Sequence, residues 1–226
     1  MDARQAKLLN LVIENYIATA EPIGSKFLVS ASKLDWSEAT VRNDLRALEE
    51  AGYLSHPHTS AGRVPTEKGY RYFVDSLDLE KIKTGKKDDM VLEDMMPDNL
   101  DFEIEIKNLA KLVVDLTGTA VLLALAPNKV YYTGLSNLFN QPEFEETQVV
   151  LEVSSMFDRC EECVEDFYDK TTDEIEFFIG SEHPFGMVLS TTSMRFGDSG
   201  LFLLLGPLRT DYKKNFGIMK KIKEII

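Results

Sequence analysis

The chain has 226 residues, 38 Asp and Glu against 25 Lys and Arg, and a formal net charge of −13. Its 44% apolar content is that of a globular protein and excludes wholesale disorder, while the length admits one large domain or two small ones. No apolar run reaches about 18 residues, the opening MDARQAKLLN lacks a signal-peptide core, and two cysteines build no disulfide framework, so a cytoplasmic protein with no membrane-spanning helix is expected.

The charge is uneven. Residues 1–75 carry 9 basic and 10 acidic side chains, and residues 76–226 carry 16 and 28. A near-neutral first part can hold a local basic face. The acidic remainder repels a phosphate backbone and needs another role.

Leu8, Leu11, Val12, Tyr16 and Ala20 recur at three- and four-residue steps, which predicts an amphipathic helix over 3–20. Glu21-Pro22 stops it. A second, short helix is predicted over 25–32, with Phe27, Leu28 and Ala31 facing inward. Asp35-Trp36-Ser37 reads as a turn, and Ser37 as the N-cap of a third helix over 38–51 that ends at Gly52. Residues 53–56 and 63–65 read as two short strands flanking the tip His58-Thr59-Ser60-Ala61-Gly62. Thr66 opens a fourth helix holding Tyr70, Tyr72, Phe73, Val74 and Leu77. Three helices and then a hairpin is the order of a winged helix-turn-helix, here assigned to residues 1–79.

Residues 80–99 have dense charge and little periodicity, and read as a linker. A second domain is expected over 100–226. A helix over 101–117 precedes strands over 119–126 and 130–132, joined by a Pro127-Asn128-Lys129 turn. Residues 143–169 look largely helical. Strands follow over 174–179, 186–192 and 200–205, then a last helix over 211–226. Interspersed strands and helices predict an α+β domain around a mostly antiparallel sheet.

The sharpest chemistry lies in residues 36–65. On a helix over 38–48, Val41, Leu45 and Leu48 cluster on the core side. Ala39, Asn43 and Arg46 point away, flanked by Thr40, Arg42 and Ala47. Small residues let a helix approach a major groove; Arg pairs bidentately with guanine and Asn with adenine. Ser37 at the helix start can offer its hydroxyl and nearby N–H groups to phosphate. The plainer reading pairs Arg42 and Arg46 with Glu38, Glu49 or Glu50 on a solvated helix. At the hairpin, His58, Thr59, Ser60 and Arg63 are donors for phosphate or the minor groove, with Gly62 supplying backbone freedom. The candidate DNA-contacting set is therefore Ser37, Thr40, Arg42, Asn43, Arg46, His58, Thr59, Ser60 and Arg63.

Other motifs read more plainly. Cys160-Glu161-Glu162-Cys163 has no second pair for a zinc ribbon, and its glutamates disfavour thiolate, so two structural helix cysteines are expected. His56 and His58 lack neighbouring ligands at metal spacing. Tyr70, Tyr72 and Phe73 at helical spacing suit packing better than base stacking. Lys86-Lys87 is too short a run for a nucleic-acid tail. No nucleophile motif, phosphate loop or metal cluster is present, so neither an enzyme nor a cofactor is expected.

The segment Glu38-Ala39-Thr40-Val41-Arg42-Asn43-Asp44-Leu45, the run His56-Pro57-His58-Thr59-Ser60-Ala61-Gly62-Arg63-Val64-Pro65-Thr66, and Gly69-Tyr70-Arg71-Tyr72 closely resemble the heat-inducible transcription repressor family HrcA. Glu21-Pro22-Ile23-Gly24-Ser25 matches it too, as do Gly134-Leu135-Ser136-Asn137-Leu138-Phe139-Asn140-Gln141-Pro142-Glu143-Phe144, Ile179-Gly180-Ser181-Glu182-His183-Pro184 and Leu205-Gly206-Pro207-Leu208-Arg209-Thr210-Asp211-Tyr212. The resemblance implies a winged helix joined to a GAF-like α+β domain. It implies a homodimer that binds double-stranded DNA at an inverted-repeat operator, the CIRCE element, upstream of chaperone operons. It implies the chaperonin GroEL as modulator, and derepression when heat-damaged proteins divert that chaperonin. Members carry an inserted dimerisation domain before the Gly134-Leu135-Ser136 motif; here Ala126-Pro127-Asn128-Lys129 runs almost directly into it. Another dimer interface is therefore expected. The alternative function is a winged-helix regulator gated by a small molecule in the GAF-like domain.

Overall fold

A capping box opens the chain. The Asp2 carboxylate accepts from the Gln5 N–H at 2.8 Å, and the Gln5 amide oxygen accepts from the Asp2 N–H at 3.1 Å, so α1 (Ala3–Thr19) starts with these donors satisfied. The structure is a computed structural model that describes residues 1–31, 35–57, 62–95, 102–126 and 129–226. They form two compact units, Met1–Leu77 and Asp78–Ile226.

In the first unit, α1 buries Leu8, Leu9, Val12 and Ile13. The buried stripe is rotated from the predicted one: Leu9 and Ile13 face inward, and Leu11 and Tyr16 are only half-buried, because α1 meets partners on two sides. After α2 (Ser25–Ala31) come α3 (Glu38–Glu50), the strands β1 (Leu54–Ser55) and β2 (Val64–Pro65), and α4 (Glu67–Asp75). Both α3 and α4 pack on α1. Seven residues make α2 a two-turn helix, and it buries only Leu28; Phe27 and Ala31, expected inward, are exposed.

The hairpin strands pair antiparallel, Leu54 opposite Pro65 and Ser55 opposite Val64. Ile23 extends the pairing through two backbone hydrogen bonds with Arg63, at 2.9 and 2.8 Å. Gly62 permits this. A Cβ there would lie 2.5–2.6 Å from backbone atoms of Pro22 and Ile23. The glycine thus serves a close approach of two chain segments, where turn freedom was expected. The end of α3 is tied to α4. Thr66 caps α4 by accepting from the Gly69 N–H, and its hydroxyl also donates to the Gly52 carbonyl at 2.7 Å. Lys68 donates to the Ala51 carbonyl at 2.8 Å, placing a cation where the helix dipole favours one. Tyr70 and Phe73 are buried.

The second unit begins with α5 (Lys86–Glu93) and α6 (Phe102–Thr117), which lead to β3 (Ala120–Ala126) and β4 (Lys129–Thr133). Next come α7 (Leu135–Phe139), α8 (Thr147–Phe157) and α9 (Cys160–Tyr168). The strands β5 (Glu176–Ile179), β6 (Leu189–Phe196) and β7 (Gly200–Pro207) precede α10 (Tyr212–Ile225). One antiparallel sheet orders the strands β4-β3-β7-β6-β5. Ala120, Leu122, Ala124, Leu201 and Leu203 face a cluster that includes Val153, Met156, Val164 and Phe167 of α8 and α9. Val121, Leu123, Phe202 and Leu204 face Leu109, Val113, Ile218 and Ile222 of α6 and α10. Burial on both faces explains why β3 and β7 read as continuous apolar runs without alternation.

Residues 80–95 are not a free linker. Leu92 is fully buried beside Ile106 and Ile222. The charges that suggested a linker are partly spent on packing. Lys221, only 16% exposed, meets Glu93 at 2.8 Å, Glu224 at 3.3 Å and Asp89 at 3.8 Å, which clips α5 to α10. The hydrogen bond to Glu93 leads the causes that hold the Lys221 ammonium well above its ordinary pKa. Likewise Glu103 at the start of α6 accepts from Lys107 at 2.6 Å and from Lys129 of β4, which lowers its carboxyl to about 2.

Leu92→Ala is expected to destabilise the second unit by about 2–5 kcal/mol, as for other buried leucines. Urea unfolding followed by far-ultraviolet circular dichroism reads this directly. An unchanged transition would return residues 80–95 to the status of a linker.

Candidate nucleic-acid interface

The sequence dictates which side of α3 is free. Val41, Leu45 and Leu48 are buried as the periodicity requires, and Asp44 is buried with them at 6% exposed. A carboxylate on an apolar face must be paired. Arg4 of α1 supplies the pair, donating from Nε to Asp44 Oδ2 at 2.6 Å and from Nη2 to Oδ1 at 3.0 Å. Held this way, the Arg4 guanidinium is pushed above its ordinary pKa. This bidentate bond fixes the rotation of α3 about its own axis. A charged residue three positions after Val41 on the core face was the available signal for it.

The opposite side of α3 presents Ala39, Arg42, Asn43 and Arg46, all exposed. Ser37, also exposed, accepts from the Thr40 N–H at 3.1 Å as N-cap, and its hydroxyl lies 2.9 Å from that of Thr40. Arg42 donates to Glu38 at 2.6 Å and Arg46 to Glu50 at 2.9 Å. The plainer reading of these arginines is thus realised in part. Their side chains are nonetheless 67% and 75% exposed, and such i,i+4 pairs are worth only about 0.3–0.5 kcal/mol. Little free energy opposes their transfer to another anion.

Arg63 is different. Its side chain is 17% exposed, and its Nε lies 2.9 Å from Glu49 Oε2. The other Glu49 oxygen meets His56 Nδ1. One carboxylate from α3 therefore braces the roots of both hairpin strands. Arg63, expected at a phosphate, is occupied as a strut because Glu49 lies within reach on the neighbouring helix turn. His58, Thr59 and Ser60 lie outside the described residues.

The remaining candidates resolve plainly. Cys160 and Cys163 sit on α9, the first buried, and burial is the largest cause that pushes both thiols up. His183 is buried and accepts from the Phe185 N–H on Nδ1 at 3.2 Å, with Nε2 3.1 Å from the Leu189 carbonyl. It buttresses the turn before β6. Arg209 reaches Glu143 at 2.5 Å and Gln141 at 2.8 Å, joining two segments distant in sequence. A cavity of about 290 Å³ in the second unit has Ala124, Ala126, Val164 and Tyr168 in its lining, with Glu161, Glu165 and Asp169 beside them. Among the described residues no group of three or more His, Cys, Asp or Glu could hold a metal ion, and no helix is long and apolar enough to cross a membrane.

A family model, the HrcA protein C terminal domain, matches residues 76–215, more than half of the sequence. The chain is 43% identical over 124 residues to the heat-inducible transcription repressor HrcA of Thermobifida fusca, covering 54% of this chain and 36% of that protein. It is 40% identical over 125 residues to the protein of the same name from Pelotomaculum thermopropionicum, covering 55% and 36%. The match thus spans about a third of the length of these curated relatives. A crystal structure of a protein described only as hypothetical has the same fold, with a TM-score of 0.82, 19% identity, and coverage of 99% of this chain and 97% of that one.

The arginines of the first unit should separate on stability alone. Arg63→Ala is expected to cost about 1–3 kcal/mol, because it leaves Glu49 partly buried without its cation. Arg46→Ala should stay within about 0.5 kcal/mol of the parent. Urea unfolding monitored by Trp36, the one tryptophan and a member of the first unit, gives both values. Equal costs would remove the distinction between strut and free arginine.

Proposed function

The chain belongs to the HrcA family, and on that premise we propose that it is a heat-inducible transcriptional repressor that reads DNA through α3. The observation that carries the proposal is the free face of α3. It offers a small residue, an amide and two weakly held arginines while the pair of exposed Arg4 and buried Asp44 fixes the helix beneath them. The first unit is read as a winged helix-turn-helix, with α2 and α3 as the helix pair and β1 and β2 as the wing. The second unit is read as the GAF-like regulatory part. Its net acidic charge leaves base reading to the first unit.

Thr40, Arg42, Asn43 and Arg46 are the residues assigned to the major groove, with Asn43 and Arg46 reading base edges. Ser37 contacts a phosphate at the start of α3. His58, Thr59 and Ser60 are assigned to the phosphate backbone or minor groove. Arg63 holds the wing in place from its root. The operator is an inverted repeat of the CIRCE type, and a homodimer sets one α3 in each half-site. The inserted dimerisation domain that the resemblance implies has no counterpart between β3 and β4, which are separated by two residues and hydrogen-bonded to each other. The dimer therefore forms through another surface. The chaperonin GroEL, as the same resemblance implies, promotes the repressing state until heat-damaged proteins draw it away. The relatives carry heat in their names, which favours this route over gating by a metabolite.

Asn43→Ala and Arg46→Ala test the assignment. Each is expected to cost about 1–3 kcal/mol on the operator and to flatten preference at one base pair. Competition binding against operators changed one base pair at a time reads both effects. Unaltered preference in both variants would remove α3 as the reading helix.

A further inference from the structure

The second unit is acidic, yet its lysines are not scattered. Of the 16 basic residues in 76–226, nine fall within 81–87 and 213–223. These two segments pack together, with the Thr84 hydroxyl donating to the Gly217 carbonyl at 2.7 Å. Gly217 makes the approach possible, since a Cβ there would meet the backbone of Lys83 and Thr84 at 3.2–3.3 Å. Between them lies a cleft of about 300 Å³ whose lining includes Lys83, Lys86 and Lys220.

The local charge balance is decisive. The lining also holds Lys221 and two carboxylates, Asp89 and Glu224. Both carboxylates are turned to Lys221, at 3.8 and 3.3 Å, and Glu93 meets it as well. The four lysines of the lining outnumber its two carboxylates, and both carboxylates engage the same lysine, Lys221. Lys83, Lys86 and Lys220 are exposed and have no carboxylate partner among the described residues. Lys86 is also the first residue of α5, whose N-cap, Gly85, has no side chain to accept the open N–H groups of the first turn. Asp88 in that turn offsets some of the positive field without capping it.

We propose that this cleft binds a run of phosphate groups, supplied by a DNA backbone or by a free polyphosphate. Lysine is a point-charge partner for phosphate, and three of them line one cleft beside a helix start. Lys83 lies six residues beyond Leu77, the end of the first unit, which makes a DNA backbone flanking the operator one natural source. The site does not depend on the DNA-reading face of α3.

The test uses the full chain, the combined variant Lys83→Gln, Lys86→Gln and Lys220→Gln, and Lys111→Gln as an exposed control on α6. Inorganic tripolyphosphate at constant ionic strength should raise the melting temperature of the parent and the control, since a ligand of the folded state stabilises it. The combined variant should melt like the parent without the anion and lose most of the shift with it. In a second arm, the salt dependence of duplex binding distinguishes the sources. A slope reduced by up to about 2.7, at 0.9 for each lost phosphate contact, identifies the DNA backbone. An unchanged slope with a lost tripolyphosphate shift identifies a free polyphosphate. Equal behaviour of parent and combined variant in both arms overturns the proposal. A parent that binds no duplex at all defeats the repressor reading, while the tripolyphosphate arm still decides the cleft.

Discussion

Much of the first unit depends on one buried carboxylate. Asp44 occupies a position on α3 that the helical period assigns to the core, so it folds inward with Val41, Leu45 and Leu48. Inside, it is tolerable only with a cation, and Arg4 grips both its oxygens. An apolar residue there would add area to the packing of α3 on α1 but no directional contact. The ion pair does specify it, because both hydrogen bonds are lost if α3 turns or slides. The consequence appears on the far side of the helix, where Asn43 and Arg46 are held outward. The same helix uses Glu49 to brace His56 and Arg63 at the hairpin roots. One short helix therefore organises its own free face and the segment that follows it.

The second unit follows a different physical plan. Its sheet is covered on both faces, so shape and apolar area hold it together, and polar pairs act as joints at the edges. Lys221 fastens α5, Glu103 fastens β4 to α6 through Lys129, and Arg209 fastens the segment around Glu143. The segments around Gln141 to Phe144 and Leu208 to Thr210, which carry part of the family resemblance, meet at that last joint. Their residue types follow from a partly buried ion pair.

The order of helices and strands was legible because periodicity and punctuation agreed. Thr66, Ser37 and Gly52 mark their helix ends, and the doubly covered strands announce themselves as apolar runs. Three things were not legible, for physical reasons. The inward face of α1 depends on two partner helices, and a single stripe in the sequence does not say where both sit. Helix α5 is as charged as a linker, and only its distant partner α10 turns Asp89 and Glu93 into packing groups. Arg63 looks like any basic residue of a hairpin until the neighbouring helix places Glu49 beside it. Of the residues picked as candidates, Arg42, Asn43 and Arg46 share one exposed face, Ser37 caps its start by accepting from Thr40, and Arg63 stands apart as a strut.

The most direct test of the repressor account is fluorescence anisotropy of the full chain on a labelled CIRCE-type inverted repeat and on a scrambled duplex of equal length. Both titrations are run over several salt concentrations, because affinity for DNA has meaning only at a stated salt. The account predicts a preference for the inverted repeat of about a thousandfold or more. Weak binding of equal strength to both duplexes at every salt concentration would contradict it.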